Sequence, residues 1–203
     1  MNGRFRFLIA GVLLISALNG YAQIAEKDPQ QQVRLVSEQL MQKLDKDRAQ
    51  LEQDSAKVQA LAESFVFPYV DITKMSRFVL GSYWRSASPE EQKAFGDAFK
   101  KLLINSYARS FLKMQIDQLE MGNTRQGSGK GDVEVPVTVV EKGGNRIPVL
   151  FRLLPSDNSW KVYDVEIQGI SLLLNYRTVY ALEIESKGLA TVIANMQAQA
   201  NGL

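Results

Sequence analysis

The apolar residues of this chain change their period at Asp132, and that change limits the fold more than any other feature. From Asp132 to Ile167, "DVEVPVTVVEKGGNRIPVLFRLLPSDNSWKVYDVEI", they alternate in steps of two and are broken by the turn sequences "KGGN" and "PSDNS". Three strands joined by short turns make an antiparallel meander. Val133, Val135, Val137 and Val139 fall on one face of it, followed by Ile147, Val149, Phe151 and Leu153, and by Tyr163, Val165 and Ile167. The other face mixes Glu134, Thr138, Arg152, Asp164 and Glu166 with Leu150, Leu154, Trp160 and Val162, so it is only partly covered. Pro136 and Pro148 point to edge or bulged positions, because proline cannot donate to a ladder.

Before and after the meander the period is that of helices. In "SPEEQ", Ser88 is a cap, Pro89 suits the first helical position, where its missing N–H goes unpaired anyway, and Glu91 closes a capping box. Phe95, Phe99, Leu102, Leu103, Tyr107, Phe111 and Met114 then recur at steps of three and four, one wide aromatic face. Upstream, Val33, Val36, Leu40 and Leu44 begin a helical stripe that runs toward Phe65 as one long helix or two shorter ones. Asp71 or Thr73 caps a short helix with Met75, Phe78, Val79 and Leu80. Downstream, Ser171 caps a helix that stops at Gly188, and "LATVIANMQAQA" forms a last amphipathic one. Helices gathered against one meander make an α+β domain.

The N-terminus sets the compartment. Arg4 and Arg6 precede an apolar run from Phe7 to Leu18, and "GYA" ends it with Gly20 and Ala22 at the two positions a signal peptidase reads. The run is too short for a bilayer core of about 30 Å. The expected organisation is therefore a signal peptide over residues 1–22, removed to leave one secreted domain over residues 23–203. No lipobox cysteine follows the cleavage site.

Removing Arg4 and Arg6 leaves the mature chain formally neutral, since the whole sequence has 24 Lys plus Arg against 22 Asp plus Glu. With no basic block, nucleic-acid binding is a poor fit. The chain has no Cys and no His, so disulfides, zinc sites of the usual kind, thiolate nucleophiles and Ser-His-Asp triads are all excluded. Carboxylate, Lys or Tyr chemistry stays open. "GSGKGD" (Gly127 to Asp132) lacks the strand before it and the helix after it that a phosphate loop needs, and reads as a flexible loop. An apolar stripe is written the same way whether it fills a core or lines a cavity. The residues by themselves stop at a secreted α+β domain.

Three segments carry a resemblance further. "LGSYWRSASPEEQKAFGDAFKKLLINSYA" (Leu80 to Ala108), "SWKVYDVEIQGISLLLNYR" (Ser159 to Arg177) and "KGLATVIANM" (Lys187 to Met196) resemble, in the same order, segments of the MlaC, or toluene-tolerance, family of periplasmic phospholipid-binding proteins. Gln168 and Ala190 depart from it, standing where acids are common. The resemblance implies an NTF2-like, cone-shaped meander with helices enclosing a hydrophobic pocket. It also implies a monomer in the periplasm that ferries a diacyl phospholipid between the outer-membrane lipoprotein–porin complex and the inner-membrane ABC-transporter complex of the Mla pathway. Phospholipid is then cargo, with no cofactor, no metal and no catalysis, and outer-membrane lipid asymmetry is what the traffic maintains.

The physics of such cargo is demanding. Two tails expose about 30 methylenes to water at about 0.8 kcal/mol each, on the order of 24 kcal/mol, so a carrier must enclose both. That assigns one wall to the sheet face: Val135, Val137, Val139, Val149, Phe151, Leu153, Tyr163, Val165 and Ile167. Phe99, Leu103, Tyr107 and Phe111 of the aromatic helix are the expected opposite wall, with Phe78, Leu80, Ile170, Leu173 and Leu174 beside them. Tyr83 and Trp84 are expected to close one end, with Arg85 in solvent near the mouth. Two other readings remain: an NTF2-like enzyme acting on an apolar small molecule through Tyr107 or Tyr163 and a buried acid, and a non-binding envelope adaptor with a solid core.

Overall fold

The computed structural model describes residues 27–201, residue 158 excepted, so the expected signal peptide lies outside the described residues. Among the described residues, seven α-helices and six strands follow one another, and all the helices but the last two precede the meander. Helix α1 (Pro29–Gln53) starts where Asp28 accepts from the Gln30 and Gln31 N–H groups, and stops at Asp54, whose extended backbone lets its carboxylate cap α2 (Ser55–Leu61). The long upstream stripe is thus broken at one residue, and the cap that breaks it is the reason. A π turn (Ala62–Val66) and a 3₁₀ turn (Phe67–Tyr69) lead to α3 (Ile72–Leu80), which Asp71 caps through the Lys74 N–H.

A single turn, α4 (Tyr83–Ser86), precedes α5 (Pro89–Lys113), and the capping box is present: Ser88 Oγ accepts from Glu91 N–H, and Glu91 accepts from Ser88 N–H. Strands β1 (Ile116–Met121), β2 (Arg125–Gln126), β3 (Val133–Glu141), β4 (Arg146–Ser156), β5 (Ser159–Ile167) and β6 (Ile170–Ser171) follow. Helices α6 (Leu172–Lys187) and α7 (Leu189–Asn201) close the chain, and the break between them is Gly188 at φ 80°. The α+β expectation holds.

The sheet is open and antiparallel throughout its ladders, in the order β1-β3-β4-β5-β6 with β2 beside β3. The meander is its centre, as expected, and β1 is an addition. Its Ile116 and Leu119 sit among Asp117, Gln118 and Glu120, too polar to announce a strand, yet β1 pairs with β3 along most of its length. Pro136 and Pro148 lie on interior strands rather than edges. Pro136 falls where β1 leaves β3 and β2 has not yet joined, and Pro148 faces the point where β5 ends, its carbonyl accepting from Gln168 N–H. Each missing donor is placed where no partner strand asks for it. Gln168 (φ 52°) and Gly169 (φ 83°) form the two-residue turn between β5 and β6, with both backbones left-handed.

A bulge in β5 corrects the assignment of faces. Arg152 pairs with Asp164 but Leu153 pairs with Val162, so Tyr163 is an extra residue without a partner. The slip moves Trp160 and Val162 onto the apolar face beside Leu153, and turns Tyr163 away to the helices. Two separate apolar clusters result. One joins Val33 of α1 to Val135, Val137 and Leu153, with Leu119, Met121, Phe151, Trp160 and Val162 around them. The other is helical, built on Met75, Val79, Leu80, Phe95, Phe99, Leu173, Tyr180, Ile184 and the α7 residues Val192, Ile193 and Met196, and receives Tyr163 and Leu154 from the sheet.

The aromatic helix does not face the meander in the way its stripe suggests. Phe95 and Phe99, both fully buried, stack at 5.7 Å and meet Tyr180 and Tyr176 of α6 edge-on at 5.8 and 5.2 Å. This ladder uses up the first half of the stripe in helix packing, which the contacts of α5 with α3 and α7 extend.

Candidate functional site

The sheet face is sealed in one part and unsealed in another. Val135 and Leu153 have no exposed surface and Val137 almost none, because the start of α1 lies across them; Gln32, itself buried, anchors that contact through Trp160, donating to its carbonyl and accepting from its N–H. Beside them on the same face, Phe151 and Val149, the cross-strand partners of Val135 and Val137, stay half-buried with Val139, Val165 and Ile167. Val149 and Phe151 sit on β4, with a strand on each side. The mid-part of α1 presents Val36, Leu40 and Leu44, also half-buried. An apolar band in the middle of a sheet gains about 25 cal/mol per Å² when covered, and here it is left partly uncovered.

The expected site residues divide by position. Leu80, Phe99, Tyr163 and Leu173 are buried in the helical cluster, and Tyr83, Trp84 and Leu103 pack on its margin. Trp84 lies under Arg77, whose guanidinium is 5.5 Å from the ring, and its carbonyl accepts from Gln92 Nε2. Tyr107 is half-buried with its hydroxyl 3.5 Å from that of Tyr176. Phe78, Phe111, Ile170 and Leu174 are exposed. The structure brings together the sheet residues, and separates the first half of α5 from them. Sequence reasoning missed Trp160, Val162 and the α1 stripe as parts of the apolar face. The signal for the first two is in the text "SWKVYDVEI": Trp160 and Val162 are in phase with one another, as are Val165 and Ile167, but the two pairs are an odd number apart.

Behind the apolar face, one rung of charge ties the sheet to α6. Arg152 donates to Glu134 on β3 (3.1 Å) and to Asp164 (2.9 Å) and Glu166 (2.8 Å) on β5. Asp164, only 5% exposed, also accepts from Ser171 Oγ and from the Leu173 N–H at the start of α6. Burial of Arg152 works against its charge, but three carboxylate partners outweigh that and hold its pKa above the ordinary value.

"GSGKGD" is shaped around buried Asp132. Gly127 N–H donates to the Asp132 carbonyl, Asp132 N–H donates to Gly129, and any side chain at Gly129 would collide with the carboxylate. Lys74 donates to that carboxylate and stands 3.7 Å above the Tyr163 ring. The enzyme reading needs such a tyrosine to have its pKa brought down toward neutrality. Here burial, and then the Asp132 carboxylate, push it up.

Tyr107 is likewise raised by burial and by its bond to Tyr176, and burial pushes Tyr180 up to about 12. These phenols are poor acids, and keeping them neutral stabilises the fold. That stability is fully present below about pH 10 and is lost as the pH rises through about 12 for Tyr180. An ultraviolet titration should show Tyr107, Tyr163 and Tyr180 ionising only as the protein unfolds. A single ionisation step near pH 10 in folded protein would contradict this. Among the described residues, no group of three His, Cys, Asp or Glu is placed to hold a metal, and no helix is long and apolar enough to cross a membrane.

The sequence model of the MlaC protein family matches residues 34–198. This chain belongs to the MlaC family. It is 23% identical over 198 residues to the intermembrane phospholipid transport system binding protein MlaC of Haemophilus influenzae, covering 96% of this chain and 92% of the relative. It is also 23% identical to the toluene tolerance protein ttg2D of Pseudomonas putida, over 88% of this chain and 83% of that one. Among solved structures it resembles the phospholipid-binding protein from Ralstonia solanacearum in complex with a phospholipid. The TM-score there is 0.77 at 27% identity, over 86% of this chain and 99% of that one. The matched region of this MlaC-family chain runs from α1 through most of α7, so the unsealed face of the sheet and all of the two apolar clusters except Val33 fall within it.

Proposed function

We propose that this chain is a periplasmic carrier of diacyl phospholipid. It takes lipid between the outer-membrane and inner-membrane Mla complexes and so maintains outer-membrane lipid asymmetry. The observation that carries this reading is the half-buried apolar band on the sheet, Val139, Val149, Phe151, Val165 and Ile167, in a chain whose structural relative was solved with a phospholipid bound. A solid-cored adaptor would have no use for such a band, and an enzyme would need an acidic or basic group with a pKa suited to its task. The acyl chains lie along this band, with Leu103 and Tyr107 on the helical side. Phospholipid is cargo, and the chain itself supplies no cofactor or metal chemistry. Its neutral mature charge suits contacts with the membrane complexes that are weak enough to release.

Native mass spectrometry tests the reading directly. Protein purified from the periplasm without detergent should begin at Gln23 and carry diacyl phospholipid of mixed head groups, because the cost of wetting two tails makes empty exchange into water negligible. A lipid-free spectrum indistinguishable from that of a control protein would remove the carrier reading. Retention of residues 1–22 would remove the proposed processing.

A further inference from the structure

The mature chain is neutral overall, but its charge is not spread evenly. From Ile72 to Ser88 the sequence holds Lys74, Arg77 and Arg85 and no acid, and from Ile167 to Leu182 it holds Arg177 and no acid. The fold places these two stretches side by side, since α3 packs along α6. Lys74 is satisfied by Asp132. The three arginines are not: among the described residues none of them has a carboxylate partner. Arg177 instead lies over the Phe78 ring at 5.1 Å, against Gly81, and reaches the Phe78 carbonyl at 3.4 Å. Arg77 lies over Trp84. Of the acids that bound these stretches, Asp71 accepts from the Lys74 N–H, Glu166 accepts from Arg152, and Glu91 accepts from the Ser88 N–H; Glu183 stands just beyond Leu182 on α6.

The same surface is apolar between its charges. Phe78 is 37% exposed, Leu174 58% and Ile170 64%, and Leu174 stands one turn before Arg177 on α6. Exposed aromatic and aliphatic tips set among unpaired guanidinium groups suit the boundary of an anionic bilayer. There the apolar groups reach past the head groups and the arginines meet the phosphates. An acidic protein partner would answer the arginines but leave the apolar tips needing a matching pocket.

We propose that Arg77, Arg85 and Arg177, with Phe78, Ile170 and Leu174, form a surface on which the protein docks on anionic phospholipid bilayers. The inference rests on the carrier reading, because a carrier has to meet a membrane or something embedded in one. Docking through this face brings the protein to its cargo without requiring that a partner hold it there.

Flotation of the mature protein with vesicles tests the surface. Vesicles of phosphatidylethanolamine with phosphatidylglycerol should carry the protein, vesicles of phosphatidylcholine alone should carry much less, and added salt should weaken the difference. At about fivefold per charge, Arg77→Gln with Arg177→Gln should lower partitioning roughly 25-fold. Arg85→Gln, a side chain with no ion-pair partner to lose, should lower it about fivefold. Native mass spectrometry of the same variants should find the phospholipid content unchanged. Equal binding to both vesicle types, no binding by the wild type, or variants that bind like it would each overturn the proposal. If the arginine variants lost lipid exchange while the wild type ignored vesicles, the face would belong to an acidic protein and the proposal would equally fall. A protein that binds vesicles but never carries lipid would sink the carrier reading and leave the docking surface standing.

Discussion

Val149→Trp should fold with near-normal thermal stability and hold much less phospholipid, whereas Val137→Trp should be strongly destabilised. The two valines are cross-strand partners on the same sheet face, with the same chemistry, and differ in what lies over them. Val137 is 4% exposed and belongs to the cluster that the start of α1 closes. An indole there has nowhere to go, and overpacking costs typically about 1 to 3 kcal/mol or more. Val149 is half-buried in the band proposed to hold acyl chains. Its enlarged side chain occupies that space in place of the cargo. The comparison has to use protein stripped of lipid, because bound lipid stabilises the wild type by mass action. Equal destabilisation of both variants would mean that the band is ordinary core. A Val149→Trp protein that folds and retains its full phospholipid would place the acyl chains elsewhere.

The different surroundings of these two residues mark the limit of what the sequence can carry. The caps of α3, α5 and α6 were legible because each depends on a side chain and the backbone within three residues of it: Asp71 with Lys74, Ser88 with Glu91, Ser171 with Leu174. The meander was legible for the same reason, since alternation and two turns are local. Strand β1 was not, because its place is fixed by β3, a partner reached only after the chain has turned back. The stripe on α5 gave its apolar positions correctly but not their neighbours. Phe95 and Phe99 pack on Tyr176 and Tyr180, and an apolar face carries no label for the surface it covers. The β5 bulge falls between these cases. Its phase slip is written in the sequence, but reading Tyr163 in phase with Val165 hid it. The slip decides which side chains reach the band and sends Tyr163 to the helices. Most of the proposed site was therefore identifiable as apolar sheet surface, while its division into sealed and unsealed parts depends on where α1 crosses.

Arg152→Met should cost about 3 to 5 kcal/mol at neutral pH, the range for removing one partner of a buried ion pair, which for a domain of this size is roughly 6 to 20 °C in Tm. The substitution keeps most of the volume and takes away only the guanidinium. It leaves Glu134, Asp164 and Glu166 facing one another without a counter-charge, and Asp164 is buried. The loss is not confined to the sheet. Asp164 also receives Ser171 Oγ and the Leu173 N–H, so its repulsion from its neighbours is transmitted to the first turn of α6. Glu166→Gln is the contrast: its side chain is 26% exposed and removing its charge leaves Arg152 with two carboxylates, so the change should stay near the 0 to 1 kcal/mol of a surface pair. A double-mutant cycle separates charge from packing. Glu134→Gln combined with Arg152→Met takes away one of the repelling charges, so the deficit of Arg152→Met should shrink in that background, while a packing defect would not respond. Denaturant titrations of the single and double variants give the answer. A deficit below about 1 kcal/mol, or one unchanged by Glu134→Gln, would mean that the rung is incidental to how α6 is held on the sheet.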